Sequence, residues 1–217
     1  MTPWAGRRAP LVPCVLCLLS LLSACVSVGL GGDVPPQAQY LLHDASAPAP
    51  RRAEPAVAAL LIQPMPADAT ADTVSIAYSR RPHEFAQYQF ASWTERPLRQ
   101  VPRLLQQRLE ARGVAAAVGI VGDPLRADWL LTIAIDALHH DVSVPPGQGR
   151  LALTAELFDR RSRTRIARQR FEVAVPAASA DAPAAAAALS QALTQVFDRL
   201  VPWLETELQQ AVAAAPK

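Results

Sequence analysis

All three cysteines of this chain lie at its N-terminal end, at Cys14, Cys17 and Cys25. The rest of the chain therefore has no thiol for a disulfide framework, a cysteine nucleophile or a cysteine-based metal site. A domain built from the residues after Cys25 must be stabilised by a hydrophobic core. Residues 25–217 are enough for one domain with a substantial core.

Residues 1–24 have the layout of a secretory signal. Arg7 and Arg8 precede an apolar segment, Leu11–Leu22, and small residues follow before Cys25. This order resembles a bacterial lipobox, in which the cysteine at the cleavage point is acylated and becomes the first residue of the mature chain. We predict a signal peptide over residues 1–24 and a covalent lipid on Cys25, whose acyl chains anchor the protein to a membrane without spanning it.

Two other interpretations of this segment are an uncleaved transmembrane helix and a plain secretory signal that happens to contain cysteine. The apolar run spans about a dozen residues, short of the roughly 20 that cross a bilayer, and Pro13 interrupts it. Val26 stands directly after the cysteine, where an aspartate tends to hold Gram-negative lipoproteins in the inner membrane. By that sorting rule we expect the protein at the periplasmic face of the outer membrane.

The charge balance disfavours a general affinity for nucleic acid or anionic lipid. Without Arg7 and Arg8 the chain has 19 basic and 19 acidic residues and a net charge of zero. Six arginines close together form a local exception, which we interpret as a solvated hairpin turn and strand face in preference to a phosphate or headgroup site. They are Arg160, Arg161, Arg163, Arg165, Arg168 and Arg170.

Composition divides the chain after the signal into three parts. Residues 25–39 are rich in glycine and proline and have little to bury, so we predict a lipidated, flexible tether. Residues 40–213 form the domain, and residues 214–217 are a short tail. A second loose segment, residues 46–55, follows the short apolar run Tyr40–Leu42, which we predict to pack as a first edge strand.

Apolar alternation predicts most of the domain to be strands. Val57–Gln63 is nearly continuously apolar, as in a strand buried on both faces, whereas Thr73–Tyr78 alternates as in a half-buried strand. Phe85–Phe90 is an aromatic strand. The remaining strand segments are Ala115–Val121, Trp129–Ile135, Leu151–Leu157 and Phe171–Val175, with Asp159–Thr164 as a hairpin turn.

Two segments have helical periodicity. The first runs from about Leu98 to Leu109, with Pro97 in the first turn and Gly113 as C-cap; Pro102 indicates either a later start or a bend. The second runs from Asp181 to about Val212, where Pro202 should introduce a kink. The order of elements predicts an α+β fold, a mostly antiparallel sheet with both helices on one face.

Motifs for chemistry are scarce. The sequence contains no Walker loop, no G-x-G-x-x-G after a strand and no G-x-S-x-G, which disfavours nucleotide enzymes and serine hydrolases. The cluster Asp136, His139, His140 and Asp141 has metal-ligating side chains, but adjacent histidines of an extended chain point to opposite faces, so we predict a solvated strand end and no metal site. We predict no catalytic residue.

Aromatic residues cluster between Tyr78 and Trp93. Aromatic side chains supply much of the binding energy at protein interfaces, so the cluster could meet an apolar ligand or a partner protein. Packing of strand against helix explains the same pattern, and from the residues alone we favour that explanation. The members are Tyr78, Phe85, Tyr88, Phe90 and Trp93.

The order and spacing of short motifs resemble the ABC-type transport auxiliary lipoprotein family. The likeness extends from Tyr40 to about Trp203, and no single motif is specific. In the first half, the matching segments after the lipobox are Tyr40–Leu42, Ile76–Tyr78, His83–Phe85, Tyr88, Trp93 and Pro97–Leu98. In the second half they are Ala127–Leu131, Arg150–Asp159 and Arg170–Glu172.

The resemblance implies a non-catalytic, outer-membrane-anchored accessory of a transport system. The resemblance implies a partner of a system built from an ABC ATPase, a permease and a periplasmic protein with a mammalian-cell-entry (MCE) domain. Such systems are expected to move lipids or other apolar compounds between membranes. The resemblance also implies no cofactor beyond the covalent lipid, no nucleic-acid partner, and assembly into a ring of copies. On the basis of this resemblance, we expect Tyr78, Tyr88 and Trp93 to form or support the surface that meets the MCE partner.

Two other classes of protein remain open at this point. An assembly lipoprotein that chaperones an outer-membrane or secretion complex would have the same tether and a similar α+β domain. A periplasmic hydrolase is disfavoured by the scarcity of catalytic motifs.

Overall fold

The computed structural model describes residues 36–47, 50–66 and 68–214. The predicted signal peptide, Cys25, most of the tether and the end of the tail lie outside the described residues. Among the described helices, none combines the length and the apolarity that spanning a bilayer requires.

Eight strands and two α-helices make up the described domain, and every strand and helix predicted from periodicity has a counterpart. The strands are β1 (Ala38–Tyr40), β2 (Val57–Met65), β3 (Ser75–Arg81), β4 (Glu84–Trp93), β5 (Ala115–Ile120), β6 (Trp129–Asp141), β7 (Gln148–Asp159) and β8 (Thr164–Pro176). The helices are α1 (Pro97–Arg112) and α2 (Ala182–Ala214), and a short 3-10 helix spans Ala69–Asp72.

All eight strands belong to one sheet organised around β6. One edge of β6 pairs with β7 along its whole length, and β7 pairs with β8. The other edge pairs first with β2 and then, near its end, with β3. The two longest ladders, β6–β7 and β7–β8, are antiparallel, while β2 pairs in parallel with both β5 and β6. The predicted α+β class with two helices is confirmed, and the sheet is mixed.

The first edge strand begins earlier in the chain than predicted. β1 pairs in parallel with β4, with Ala38 opposite Ala91 and Tyr40 opposite Trp93. The two leucines that predicted the strand follow it instead: Leu41 is exposed, and Leu42 is fully buried in the core. The chain therefore enters the domain beside the second half of β4.

Both helices pack on one face of the sheet, as predicted. Helix α1 begins at Pro97, continues through Pro102 and ends at Arg112. Its C-cap is Gly113, whose φ of 73° lies in the left-handed region that glycine favours. Helix α2 begins after Asp181, whose carboxylate accepts a hydrogen bond from the backbone N–H of Ala184 at 2.9 Å. It continues through Pro202 to Ala214.

The core lies between the helices and the inner face of the sheet. At its centre, inward-facing leucines and isoleucines of β6 and β7 meet the apolar stripe of α2. Gly149 shows how close this packing is, because a Cβ there would lie 2.8 Å from backbone atoms of Ala188 and Leu189. The central residues are Leu131, Ile133, Ile135, Leu151, Leu153, Val196, Leu200 and Leu204.

A partly buried ion cluster connects the segment after β1 to both helices. The guanidinium of Arg108 on α1 binds Asp44 through two hydrogen bonds of 2.7 and 2.8 Å, and binds Asp198 on α2 at 2.6 Å. One turn further along α1, Arg112 donates to Glu205 of α2 at 2.9 Å. Because these are charge-assisted hydrogen bonds with defined geometry, they fix the two helices against each other.

Candidate functional site

The three residues predicted to meet a partner do not share one environment. Tyr78 on β3 and Tyr88 on β4 are both half-buried, and their ring centroids lie 4.8 Å apart. Trp93, at the end of β4, is only 2% exposed and belongs to the core. Tyr78 and Tyr88 are therefore accessible to a partner, whereas Trp93 supports β4 by packing in the core.

A buried histidine lies behind the two tyrosines. His140 on β6 is opposite Tyr78 in the parallel ladder and is fully buried. Its Nδ1 atom lies 2.8 Å from the Tyr88 hydroxyl, with which it forms a hydrogen bond. Burial lowers the pKa of His140, since a charged imidazolium is poorly solvated there. Burial, together with the nearby Asp181 carboxylate, raises the pKa of Tyr88 to about 12.

These pKa shifts keep both partners of the Tyr88–His140 hydrogen bond neutral near pH 7. A proton-transfer catalyst needs a pKa near the working pH, and these two groups are shifted away from it in opposite directions. The pair is suited to holding β4 against β6.

We expect Tyr88→Phe to lower the free energy of unfolding by about 1–2 kcal/mol, because it leaves Nδ1 of the buried His140 without its hydrogen bond. Tyr78→Phe is the matched control, since the Tyr78 hydroxyl makes no hydrogen bond to a described residue, and it should have little effect. Urea denaturation followed by tryptophan fluorescence measures both. Equal losses in the two variants would contradict this role for the hydroxyl.

The side chains of the Asp136–Asp141 cluster, which could ligate a metal by type, lie on different faces of the sheet. Strand β6 continues through Asp141, so His139 and His140 point to opposite faces. The His139 ring packs against the Phe85 ring, with 5.1 Å between their centroids. Asp136 accepts a 2.6 Å hydrogen bond from Thr154, and Asp141 pairs with an arginine of β7. Within residues 36–47, 50–66 and 68–214, no three histidine, cysteine or acidic side chains are placed to hold a metal ion.

A groove of about 420 Å³ opens beside the two tyrosines. Phe90 at its rim is 49% exposed, so its ring is accessible from solvent. The guanidinium of Arg80 lies 5.0 Å from the centroid of the Tyr78 ring, in the geometry of a cation–π contact. We name this feature the aromatic groove; it is lined by Tyr78, Arg80, Tyr88, Phe90, Val142 and Pro145.

Sequence reasoning missed part of the aromatic groove. Val142 and Pro145 lie in the β6–β7 connection, far from Tyr88 along the chain. They reach the groove because β3 pairs with the end of β6, where Ser79 lies opposite Asp141. Local periodicity contains no signal for that long-range pairing.

The predicted arginine cluster separates into two groups. On β8, Arg165 and Arg168 pair with Glu156 at 2.9 and 3.6 Å. Arg170 lies 3.6 Å from Asp136. These three arginines belong to a strand face, as predicted from the sequence, and the structure adds that each is paired with a carboxylate. The other three, Arg160, Arg161 and Arg163, lie in the β7–β8 turn.

Solved structures share this fold. The crystal structure of protein XCC0632 from Xanthomonas campestris matches with a TM-score of 0.74 at 28% identity, covering 82% of this chain and 99% of that one. A crystal structure of an uncharacterised protein matches with a TM-score of 0.61 at 12% identity, covering 78% of this chain and 99% of the other. That second likeness concerns the fold alone. No curated protein matches the sequence.

The family model for the ABC-type transport auxiliary lipoprotein component matches residues 40–201, well over half of the chain. That range runs from the last residue of β1 into the second half of α2 and includes both the aromatic groove and the arginine-rich turn. The match confirms the family inferred from the sequence, and an auxiliary transport component points to a non-enzymatic role. This chain belongs to the ABC-type transport auxiliary lipoprotein component family.

Proposed function

We propose that this protein is a non-catalytic lipoprotein accessory of an ABC transport system, anchored to the periplasmic face of the outer membrane through Cys25. Its partner in this proposal is a periplasmic MCE-domain protein, through which it connects to a permease and an ATPase. The transported compounds are lipids or other apolar molecules. The observation that carries the proposal is the family match over residues 40–201.

The aromatic groove is the surface that we assign to the partner. It offers exposed Phe90, the half-buried rings of Tyr78 and Tyr88, and the guanidinium of Arg80. Aromatic side chains and arginine are the residue types enriched where binding energy concentrates in protein interfaces. Trp93 contributes by packing under β4 and does not touch the partner.

The position of β1, where the chain joins the domain, supports the same assignment. Ala38, at the start of β1, pairs with Ala91, which directly follows Phe90. The first strand after the tether therefore joins the domain next to the aromatic groove. In this proposal, an MCE assembly bound there is held near the membrane to which Cys25 is anchored.

Site-specific photo-crosslinking in intact cells tests the proposal. A photoreactive phenylalanine analogue replaces Phe90 in one variant and Val212 in another; Val212 is 47% exposed near the far end of α2. We expect a covalent adduct with the MCE protein from position 90 and none from position 212. Adducts from position 212 alone would move the contact to α2, and adducts with an outer-membrane barrel protein would favour an assembly role.

A further inference from the structure

The three arginines of the β7–β8 turn line a separate pocket together with an arginine from another part of the chain. This shallow pocket has a volume of about 620 Å³ and lies at the end of the sheet where β6 begins. Leu130 and Phe158, both half-buried, form an apolar floor between the charged groups. We name it the tip pocket, lined by Arg126, Arg160, Arg161, Arg163, Leu130 and Phe158, with Asp128 and Asp159 at its edge.

Most guanidinium groups of the tip pocket have no ion-pair partner among the described residues. Of its four guanidinium groups, those of Arg126, Arg161 and Arg163 form no ion pair or hydrogen bond to any residue that the structure describes. The guanidinium of Arg160 donates to the backbone carbonyl of Ala127 at 2.8 Å, which fixes it in place without neutralising it. On the neighbouring strand face, by contrast, Arg165, Arg168 and Arg170 each pair with a carboxylate.

The aspartates at the edge balance only part of this charge. The Asp159 carboxylate accepts hydrogen bonds from the Ser162 hydroxyl at 2.9 Å and from the Arg161 backbone N–H at 2.8 Å, and these contacts lower its pKa. That carboxylate is therefore committed to shaping the turn. With four arginines and two aspartates, the lining has a net charge of +2.

We propose that the tip pocket binds the phosphate-bearing headgroup of an anionic lipid. Guanidinium groups match phosphate oxygens through paired hydrogen bonds, and several on one concave surface select a compact anion. The apolar floor of Leu130 and Phe158 distinguishes an amphiphile from a free ion, because it can cover the glycerol and first acyl carbons beside the headgroup. A free phosphate could use the arginines but not the floor.

The tip pocket is distant from the aromatic groove. Trp129 at the start of β6 pairs with Asp159, whereas His140, near the other end of the same strand, pairs with Tyr78. At about 3.3 Å per residue, the two features are roughly 35 Å apart along the strand. The inference therefore does not rest on the proposed partner surface, and each can fail without the other.

Native mass spectrometry of the full chain in a neutral detergent tests the proposal. The probe is dihexanoyl phosphatidylglycerol, with inorganic phosphate and a hexaglutamate peptide as competitors. The tip variant is Arg126→Gln/Arg161→Gln, and the matched control is Arg165→Gln/Arg168→Gln, which removes the same charge from the same hairpin region. Because both proteins are measured in the same detergent, partitioning of lipid into micelles cancels in the comparison.

We expect lipid binding to be about tenfold weaker in the tip variant and nearly unchanged in the control. Lipid binding about tenfold tighter than binding of inorganic phosphate would support a headgroup as the source of the anion. Equal affinity for both would assign a soluble phosphate and overturn the lipid. Equal loss in both variants would overturn the pocket, and stronger competition by hexaglutamate would assign the surface to an acidic protein segment instead.

Discussion

Trp93→Ala should lower the free energy of unfolding by about 3–5 kcal/mol, the range observed when a large aromatic side chain is removed from a protein core. Trp93 is 2% exposed and is among the largest buried side chains of the domain. It lies where β4 meets both β1 and the start of β3, with its backbone N–H bonded to the carbonyl of Val74 at 2.6 Å. A cavity there would loosen three strands together. Urea denaturation followed by circular dichroism measures the loss.

Phe90→Ala is the matched control for that substitution. Phe90 lies on the same strand and is 49% exposed, so its removal should change stability by no more than about 0.5 kcal/mol. Under the proposed function, the same substitution should weaken crosslinking of neighbouring positions to the MCE protein, since it removes the rim of the aromatic groove. A large loss of stability in Phe90→Ala, or a negligible loss in Trp93→Ala, would contradict the division between core and surface on β4.

Arg108→Met should also destabilise the protein strongly, by about 3–5 kcal/mol, because it leaves a buried carboxylate without its partner. The side chains of Arg108 and Asp44 are only 12% and 10% exposed, and two hydrogen bonds join them. Arg103→Met is the control: Arg103 of the same helix pairs on the surface with Glu95, which precedes the helix, and the arginine side chain is 53% exposed. A surface pair of that kind contributes at most about 1 kcal/mol. Urea denaturation of both variants measures the difference, and equal losses would contradict a special role for the buried pair.

The same pair predicts how stability depends on pH. Burial by itself raises the pKa of Asp44, but the hydrogen bonds and charge of Arg108, together with hydrogen bonds from Ser46 and Thr194, outweigh it, so the pKa lies below its ordinary value of 3.8. The unfolded state therefore binds the proton more readily than the folded state. The stability that the pair contributes is complete above the unfolded pKa and is lost as pH falls through the folded pKa.

Thermal denaturation from pH 5 downward through the acid range measures this dependence. Part of the acid destabilisation of the wild-type protein should disappear in Asp44→Asn, whose side chain has no proton to gain. An unchanged acid profile in Asp44→Asn would mean that other carboxylates carry the whole effect.

Local patterns were sufficient for the elements of this fold. A continuous apolar run located β2, the period and composition of the other apolar segments located β3 to β8, and a spacing of three and four located both helices. Gly113 and Asp181 marked helix boundaries, since left-handed backbone and N-terminal capping depend on the residue type at one position. The family was also recognisable from sequence, because the order and spacing of its motifs extend along nearly the whole domain.

The aromatic groove shows where local patterns fail. Ala91, Ser92 and Trp93 are buried in succession at the end of β4, whereas Tyr88 of the same strand lines the aromatic groove. The ladder between β3 and β4 shifts register between Ser75 and Ala77. A shift of that kind changes which side chains face inward. Simple alternation along β4 therefore does not predict burial.

The chain's own order of residues determined which segments become strands and helices, which family it belongs to, and that its only cysteines lie near the N-terminus. Tertiary structure alone decided that β2 and β3 share one edge of β6, which brings Pro145 to Tyr88. It also decided which arginines of a single cluster find carboxylates. Backbone preference and apolar period are local properties, whereas exposure and charge balance depend on residues that meet only after the sheet has formed.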